Sequence, residues 1–380
     1  MYQKTAKHMK KIKILFTGGG TGGHLMPIIS IGREIRRLYN KDDMVFYYLG
    51  PKNELSFLLL SQENIKPYAI ISGKLRRYFS FENITDILFK IPIGFIQSFF
   101  LLLFIRPKLV FSKGGSGSAV VALCARILFI KVFLHESDSV PGLSNRIVSK
   151  WAKKIFISFP KTEYFDLDKT ILVGNPIKKE LSEGNNETAK EIFNLTLKKP
   201  TILFLGGSQG AQKINDFILE ILNELLKKYE IVHVCGIKNY KNVRAESQVI
   251  MDKDLIKYYH LYEYLNEVEL KHIYKVANLI ISRSGSGSIF EIASLGKPSI
   301  LIPLPSSASN HQSKNAYQYA NTGAAIVIEQ ENLTPNFFLG KIDYLFLQPE
   351  KIEEMKVAAL NFAKPLAGKA IAREILESIL

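Results

Sequence analysis

Short apolar runs, each closed by a glycine-rich turn and followed by a stretch of helical periodicity, recur along the whole chain. Residues 11–16 (KIKILF) lead into the turn 17–23 and a helical pattern over about 27–39. Residues 109–112 lead into 114–117 and a helix near 118–128. In the second half, 201–205 (TILFL) leads into 206–210 and a helix over about 211–227, and 279–282 into 283–287 and a helix near 288–295. Strands alternating with helices predict parallel βαβ units, with ligands gathered at the carboxyl ends of the strands. The pattern closes near 173–176 and restarts near 201. Between them SEGNNETAK, at 182–190, reads as a surface loop or the approach to a helix. The predicted fold is α/β, two Rossmann-like doubly wound domains facing across a cleft. The last segment, 351–380, is helical in pattern with an interruption at Pro365, and no short-period repeat or low-complexity tract is present.

Composition agrees with two cores. A chain of 380 residues is long for one compact core, and a hydrophobic fraction of 47% excludes global disorder. Cys124 and Cys235 lie far apart, with neither a disulfide framework nor zinc-like spacing, which fits a reducing cytosol. The net charge of +15 implies acidic partners: anionic lipid, phosphorylated substrates or nucleic acid. No uninterrupted basic tract or aromatic-interleaved basic repeat supports nucleic acid. Residues 1–13 are basic but run straight into a strand, unlike a signal peptide. Residues 91–105 (IPIGFIQSFFLLLFI) fall short of the roughly 20 needed to span a bilayer, and Pro92 and Gln97 interrupt them. A buried helix and a membrane-docking helix both fit. The nearby Lys74, Arg76, Arg77, Tyr78, Phe79 and Phe81 favour docking on an anionic headgroup zone, so the chain is expected to lie on a membrane rather than span it.

Three turns and two polar clusters carry the candidate chemistry. Gly18-Gly19-Gly20-Thr21-Gly22-Gly23-His24 follows a strand; its five glycines permit positive φ and close backbone approach, and the helix after it offers partial positive charge to an anion. No Gly-Lys-Ser/Thr follows, so it is not a P-loop, and it is not a clean dinucleotide fingerprint. Gly206-Gly207-Ser208-Gln209-Gly210-Ala211 occupies the same position in the second half, where Ser208 and backbone amides are placed to hold a phosphate oxygen; a tight turn without ligand is the alternative. In Ser282–Glu291 (SRSGSGSIFE) small residues keep a helix N-terminus open, and Glu291 is either an acceptor for ribose hydroxyls or a helix-dipole carboxylate. His135-Glu136-Ser137-Asp138 at a strand end and Asn310–Asn315 (NHQSKN) are polar clusters that face a cleft or form structural networks. No Gly-x-Ser-x-Gly elbow suggests a serine hydrolase, and no Asp-x-Asp clamp suggests a metal. That absence suits a transferase holding its leaving diphosphate with helix dipoles.

Together these motifs resemble the MurG family, the lipid II-forming N-acetylglucosaminyltransferases. The resemblance runs through GGGTGGH at 18–24, KGGSGS at 113–118, HESDSVPGLSNR at 135–146, VGNPI at 173–177, GGSQGA at 206–211, SRSGSGSIFEI at 282–292 and HQSKNA at 311–316. It implies a GT-B fold with an N-terminal acceptor and membrane-docking domain over 1–176, a donor domain over 177–360, and a C-terminal helix, 361–380, returning to the first. The implied reaction passes N-acetylglucosamine from its UDP donor to the muramyl 4-hydroxyl of lipid I with inversion, without metal or cofactor. The implied setting is the cytoplasmic face of a bacterial inner membrane, peripherally, with UDP-N-acetylglucosamine, undecaprenyl-linked lipid I, the anionic membrane surface and cell-wall synthesis proteins as partners, and no nucleic acid.

By family position Glu291 would bind ribose and Ser208 the diphosphate, beside Gln209 and Gly210. Tyr264 and Leu265 would lie against uracil, and His311 and Gln312 on the sugar. Lys178, Ser286, Gly287, Ser288 and Asn315 complete the implied donor set, with Thr21, Gly22 and Gly23. Gly19, Gly20, Thr21, His24, Gly115, Ser116 and Asn145 form the implied acceptor set. His24 is the first candidate for base or diphosphate contact, with Glu136 and Asp138 as alternative bases. The chain departs from the family pattern at Lys178, where arginine is common, at Gly287 and Ser288, at the His311-Gln312 pair, and at 364–370 (KPLAGKA). Those changes bear on donor affinity and sugar selectivity. The rival readings are a diacylglycerol glycosyltransferase, a UDP-sugar epimerase of the same fold, a non-catalytic module and a nucleic-acid binder.

Overall fold

The computed structural model describes residues 11–20, 22–39, 43–73, 84–160, 164–206 and 211–380. They form two compact units. The first comprises residues up to 137, Pro141–Pro176 and Leu366–Leu380; the second comprises Asp138–Val140 and Ile177–Pro365.

The first unit holds β1 (Ile12–Thr17), β2 (Met44–Gly50), β3 (Ile65–Ala69), β4 (Leu109–Ser112), β5 (Lys131–Glu136), β6 (Lys154–Ile157) and β7 (Thr170–Leu172). They make one parallel sheet in the order β3-β2-β1-β4-β5-β6-β7. The second unit holds β8 (Thr201–Leu205), β9 (Glu230–Val234), β10 (Tyr259–Tyr262), β11 (Leu279–Ser282), β12 (Ser299–Leu301) and β13 (Ala325–Val327), ordered β10-β9-β8-β11-β12-β13 and again all parallel. Strand order reverses between β1 and β4 and between β8 and β11, and at such switch points the loops diverge and leave a crevice for ligands. Central strands are buried on both faces and therefore read as continuous apolar runs.

Several boundaries differ from the sequence reading. The first helix runs Gly22–Leu38, so Gly22, Gly23 and His24 form its opening turn instead of a loop. Pro27 lies inside it, close enough to the N-terminus that the hydrogen bond it cannot donate is lost only to the first turn. The helix expected over 211–227 is two, Gln212–Glu220 and Leu222–Lys228, parted at Ile221. Pro92 and Gln97 do not interrupt the apolar segment. Pro92 follows the π-helical turn Asp86–Lys90 at the start of the helix Ile91–Ile105, and the wider turn there accommodates the N–H it cannot donate, while Gln97 Oε1 accepts from Ile71 N at 2.8 Å. With the π-helical turn Asp86–Lys90 before it, the apolar helix reaches 20 residues, long and apolar enough to cross a membrane by length and composition. Within Ile91–Ile105 only a narrow stripe, Gly94, Ser98, Leu102 and Ile105, is buried against the unit, and Asp86 is buried at the start of the preceding turn. The basic and aromatic cluster between Lys74 and Phe81 lies outside the described residues.

The C-terminal helix Ala367–Ile379 packs on the first unit's helix Gly22–Leu38, and Ile371, Ala372, Ile375 and Ile379 complete that unit's core. Lys108 Nζ donates to Ile379 O at 2.9 Å, and Lys154 pairs with Glu374.

Candidate active site

In the first unit two glycine turns close on each other at the β1/β4 switch point. Gly19 N donates to Gly114 O at 2.9 Å, and Tyr48 OH holds Gly18 O at 2.9 Å. Gly114, Gly115 and Gly117 all have φ between 84° and 89°, which favours glycine strongly. Space demands it too: a Cβ on Gly114 would stand 2.4 Å from Asn145 Oδ1, and one on Gly115 would stand 2.8 Å from Gly19 Cα. His24 rises into this seam. Its Nδ1 is 2.9 Å from where a Gly19 Cβ would be, and its Nε2 3.0 Å from the corresponding point on Gly115. The structure thus brings Gly19, His24 and Gly115 together, with Gly20 beside Pro51 and Asn53 and Ser116 half-buried at the turn. Thr21 lies outside the described residues.

The cluster at the end of β5 has structural work. His135 is fully buried, and its Nε2 lies 3.1 Å from Gly174 O. Burial first, and Lys113 second, keep its pKa well below the ordinary imidazole value, so it is neutral and donates to that carbonyl. Glu136, also buried, accepts from Asn145 Nδ2 at 2.8 Å and Gly142 N at 3.2 Å, fixing the turn before the helix Leu143–Ser149. Asp138 accepts from Asn315 Nδ2 at 2.9 Å, while Asn315 Oδ1 accepts from Ser139 N at 2.8 Å. Both ends of the Asn315 amide therefore hold the segment Asp138–Val140. Lys113 is a buried ammonium that the motif reading passed over; it donates to Ser137 Oγ at 2.8 Å. Its place directly after β4 was the available signal.

In the second unit the helix Ser286–Ser294 opens directly after β11 with Gly285 as its N-cap, and no acidic residue occupies its first turn. Ser286 Oγ is buried with no hydrogen-bond partner among the described residues. Gly287 has open space around its Cα, and Ser288 is half-buried. Glu291 is half-buried and accepts from Tyr274 OH at 3.0 Å. Burial pushes its pKa up to about 6, against the pull of Tyr274 and Lys178. Tyr274 was missed because it lies 17 positions from Glu291, on the helix Glu267–Val276. Lys178 pairs with Glu267 in the same neighbourhood. Leu265 is buried and Tyr264 exposed, just before the Asn266–Glu269 capping box that starts that helix.

The 304–312 loop is tied back to β11. Ser284 Oγ donates to Gln312 O at 2.9 Å, Gln312 Oε1 accepts from Leu304 N at 3.0 Å, and His311 Nδ1 lies 2.8 Å from Ala308 O. Arg283, also unforeseen, is buried and donates to Ile302 O, Pro303 O and Gln330 Oε1, holding the same loop from beneath. Ser208, Gln209 and Gly210 lie outside the described residues. Among the described residues no group of three or more His, Cys, Asp or Glu converges as a metal site.

Family models match both halves: the glycosyltransferase family 28 N-terminal domain over residues 14–157 and the C-terminal domain over 201–370. The UDP-N-acetylglucosamine--N-acetylmuramyl-(pentapeptide) pyrophosphoryl-undecaprenol N-acetylglucosamine transferase of Clostridium tetani is 39% identical, over 92% of this chain and 94% of its own. The chain belongs to the MurG family. A protein of the same description from Bacillus thuringiensis strain Al Hakam is 36% identical over 88% of this chain and 91% of its own. Among solved structures, the MurG of Acinetobacter baumannii superposes with a TM-score of 0.73 at 24% identity, covering 96% of this chain and 99% of that one. The UDP-GlcNAc 2-epimerase of Neisseria meningitidis, bound to UDP-GlcNAc, superposes with a TM-score of 0.67 at 18% identity, covering 96% and 100%. These likenesses establish a GT-B-type fold shared by the MurG family and enzymes of other activity. The family itself rests on the two domain matches and the near-full-length relatives.

Proposed function

We propose that this protein is an inverting hexosyltransferase that moves N-acetylglucosamine from UDP-N-acetylglucosamine to the muramyl 4-hydroxyl of lipid I, giving lipid II. The observation that carries the reading is kinship at 39% identity along nearly the whole chain with a transferase of that description. Shared fold alone would leave an epimerase open; near-full-length kinship with transferases of that description favours the transfer reaction.

The second unit takes the donor. Glu291 accepts the ribose hydroxyls, and the open N-terminus of Ser286–Ser294, with the free hydroxyl of Ser286, faces the diphosphate together with Ser208, Gln209 and Gly210. Tyr264 and Leu265 flank uracil, and His311 and Gln312 contact the sugar. Lys178 adds positive charge near the ribose site, and Asn315 acts by holding Asp138. The first unit takes lipid I, its diphosphate at Gly19, Gly20, Thr21, Gly22, Gly23 and His24, with Gly115, Ser116 and Asn145 shaping the floor. In the transfer the muramyl O4 forms its bond to the anomeric carbon as the bond to the UDP oxygen breaks. The 4-hydroxyl proton passes to a base, and the diphosphate leaves against the helix N-terminus. His24 is that base or the contact that orients the acceptor diphosphate; Asp138 is the alternative. Glu136 positions Asn145. No metal or cofactor is required in this scheme.

The protein works peripherally at the cytoplasmic face of the membrane, docked through the apolar helix Asp86–Ile105. The test is UDP release with and without a lipid I analogue, with UDP-glucose as control. Acceptor-dependent turnover selective for N-acetylglucosamine supports the reading. Conversion of the donor without acceptor would indicate an epimerase, and turnover with UDP-glucose and diacylglycerol a glycolipid synthase.

A further inference from the structure

Resting on the transfer reaction proposed above, we infer that a cavity in the second unit binds the stem peptide of the acceptor, a chain that carries both carboxylate and ammonium groups. The cavity measures about 820 Å³ and lies between the start of the helix Gln212–Glu220, the loop after β12 and the turn Gln330–Asn332. Phe217, Leu304 and Leu333 give it an apolar wall, and Ser306 lines it from the loop. It is not the ribose site. Phe217 shares a core with Ile202 and Phe204 of β8, whereas Tyr274, the partner of Glu291, shares one with Leu203. Alternate residues of a strand point to opposite faces, so the cavity and the Glu291 carboxyl lie over different faces of the sheet.

One group in the wall calls for a ligand. Arg283 is 8% exposed, and its guanidinium donates to Ile302 O at 3.2 Å, Pro303 O at 2.9 Å and Gln330 Oε1 at 2.6 Å. All three acceptors are neutral. A buried cation is costly until an anion reaches it, and a guanidinium takes a carboxylate with particular strength. The rim has the opposite character. Asp216, Glu220 and Glu331 are exposed there and outnumber Lys213, against the trend of a chain whose net charge is +15. Asp216 accepts from the neutral side chain of Gln212, which leaves its charge uncancelled. A wall that takes a carboxylate, a rim that takes an ammonium and an apolar surface between them suit a peptide. They do not suit a second nucleotide, whose phosphates the acidic rim repels. The loop that carries Leu304 and Ser306 runs on to His311 and Gln312, the residues assigned to the donor sugar. Transfer brings the muramyl O4 to the anomeric carbon of that sugar, and the pentapeptide hangs from the oxygen on the neighbouring carbon. The stem therefore emerges beside this loop, and five extended residues reach about 17 Å.

The experiment is UDP release by the full-length protein with two water-soluble lipid I analogues, one carrying the whole pentapeptide and one cut back to its first residue. The parent is expected to show a KM about tenfold lower for the pentapeptide analogue. Ser306→Trp fills the cavity from an exposed position and is expected to raise that KM about tenfold. In the same variant the KM for the cut-back analogue and for UDP-N-acetylglucosamine is expected to stay close to the parent's. Glu331→Lys, on the exposed rim, is expected to raise the pentapeptide KM about threefold, and by less at high salt. Free pentapeptide is expected to compete with the pentapeptide analogue and not with the cut-back one. Equal KM values for the two analogues in the parent, or a Ser306→Trp protein in which both rise together, overturns the cavity proposal and leaves the transfer reaction standing. Free pentapeptide that changes turnover of both analogues alike indicates an effector site and overturns the assignment to the acceptor's stem. Turnover with neither analogue overturns the proposed reaction and the stem assignment with it.

Discussion

In the proposed function Glu291 concentrates the donor chemistry in one carboxyl. Its ordinary pKa of 4.5 is raised to about 6 by burial, so between those values the folded protein holds a proton that the unfolded chain has released. Stability from this group is therefore present at low pH and is lost as pH rises through that window, by about 2 kcal/mol in all. Glu291→Gln is expected to unfold at higher denaturant than the parent at pH 7 and at the same denaturant at pH 4. Donor binding runs the opposite way, because the carboxylate is the better acceptor for ribose hydroxyls. UDP affinity measured by calorimetry should rise with pH through about 6 and level off above 7; in Glu291→Gln it should be roughly tenfold or more weaker and flat. A Glu291→Gln protein that binds UDP as tightly as the parent would remove Glu291 from the ribose. Tyr274 gives a second handle. Its hydroxyl stabilises the ionised form, so Tyr274→Phe should move the midpoint of that pH profile upward while leaving the affinity plateau within a few-fold.

At the scale of elements the site is two pairs of turns, and the first pair is held by fit. Gly114→Ala meets both a left-handed backbone and Asn145 Oδ1 at 2.4 Å, and Asn145 is fixed by Glu136, so it cannot retreat cheaply. The expected loss is at least about 2 kcal/mol of stability, with a raised KM for the lipid I analogue and unchanged UDP affinity. Gly142→Ala, where a Cβ meets nothing within 4 Å and the N–H to Glu136 is kept, is the matched control and should be silent. The strand-turn-helix rhythm and the glycine turns were legible because both are local: a run of apolar residues and a residue lacking Cβ announce themselves within ten positions. The tertiary partners were not. Nothing near Glu291 names Tyr274, and nothing near Asn315 says that its amide will hold Asp138 and Ser139. The start of the first helix was misplaced for a related reason. Glycines and an internal proline argue locally against helix over 22–27, yet Leu25, Ile28 and Ile29 are buried on the sheet, and that packing overrides propensity.

For the whole molecule, the largest non-local dependence is the last helix. Ala367–Ile379 follows the second unit in sequence but fills the core of the first, through Ile371, Ile375 and Ile379. Its apolar stripe shows that it must be buried, while the stripe itself carries no information about which core receives it. Ile375 is fully buried, so Ile375→Ala opens a cavity and should cost the first unit about 2–4 kcal/mol. Among the described residues the second unit's core contains none from that helix, and the proposed UDP site lies in the second unit. Calorimetry of the variant should therefore show a first-unit transition at lower temperature and a second-unit transition that stays in place and still rises with added UDP, as binding to a folded unit requires. If instead the UDP-responsive transition falls together with the other, the two units unfold as one cooperative system. The C-terminal helix would then stabilise the donor site as well as the acceptor side, and substitutions in it would weaken UDP binding from outside the unit that holds it.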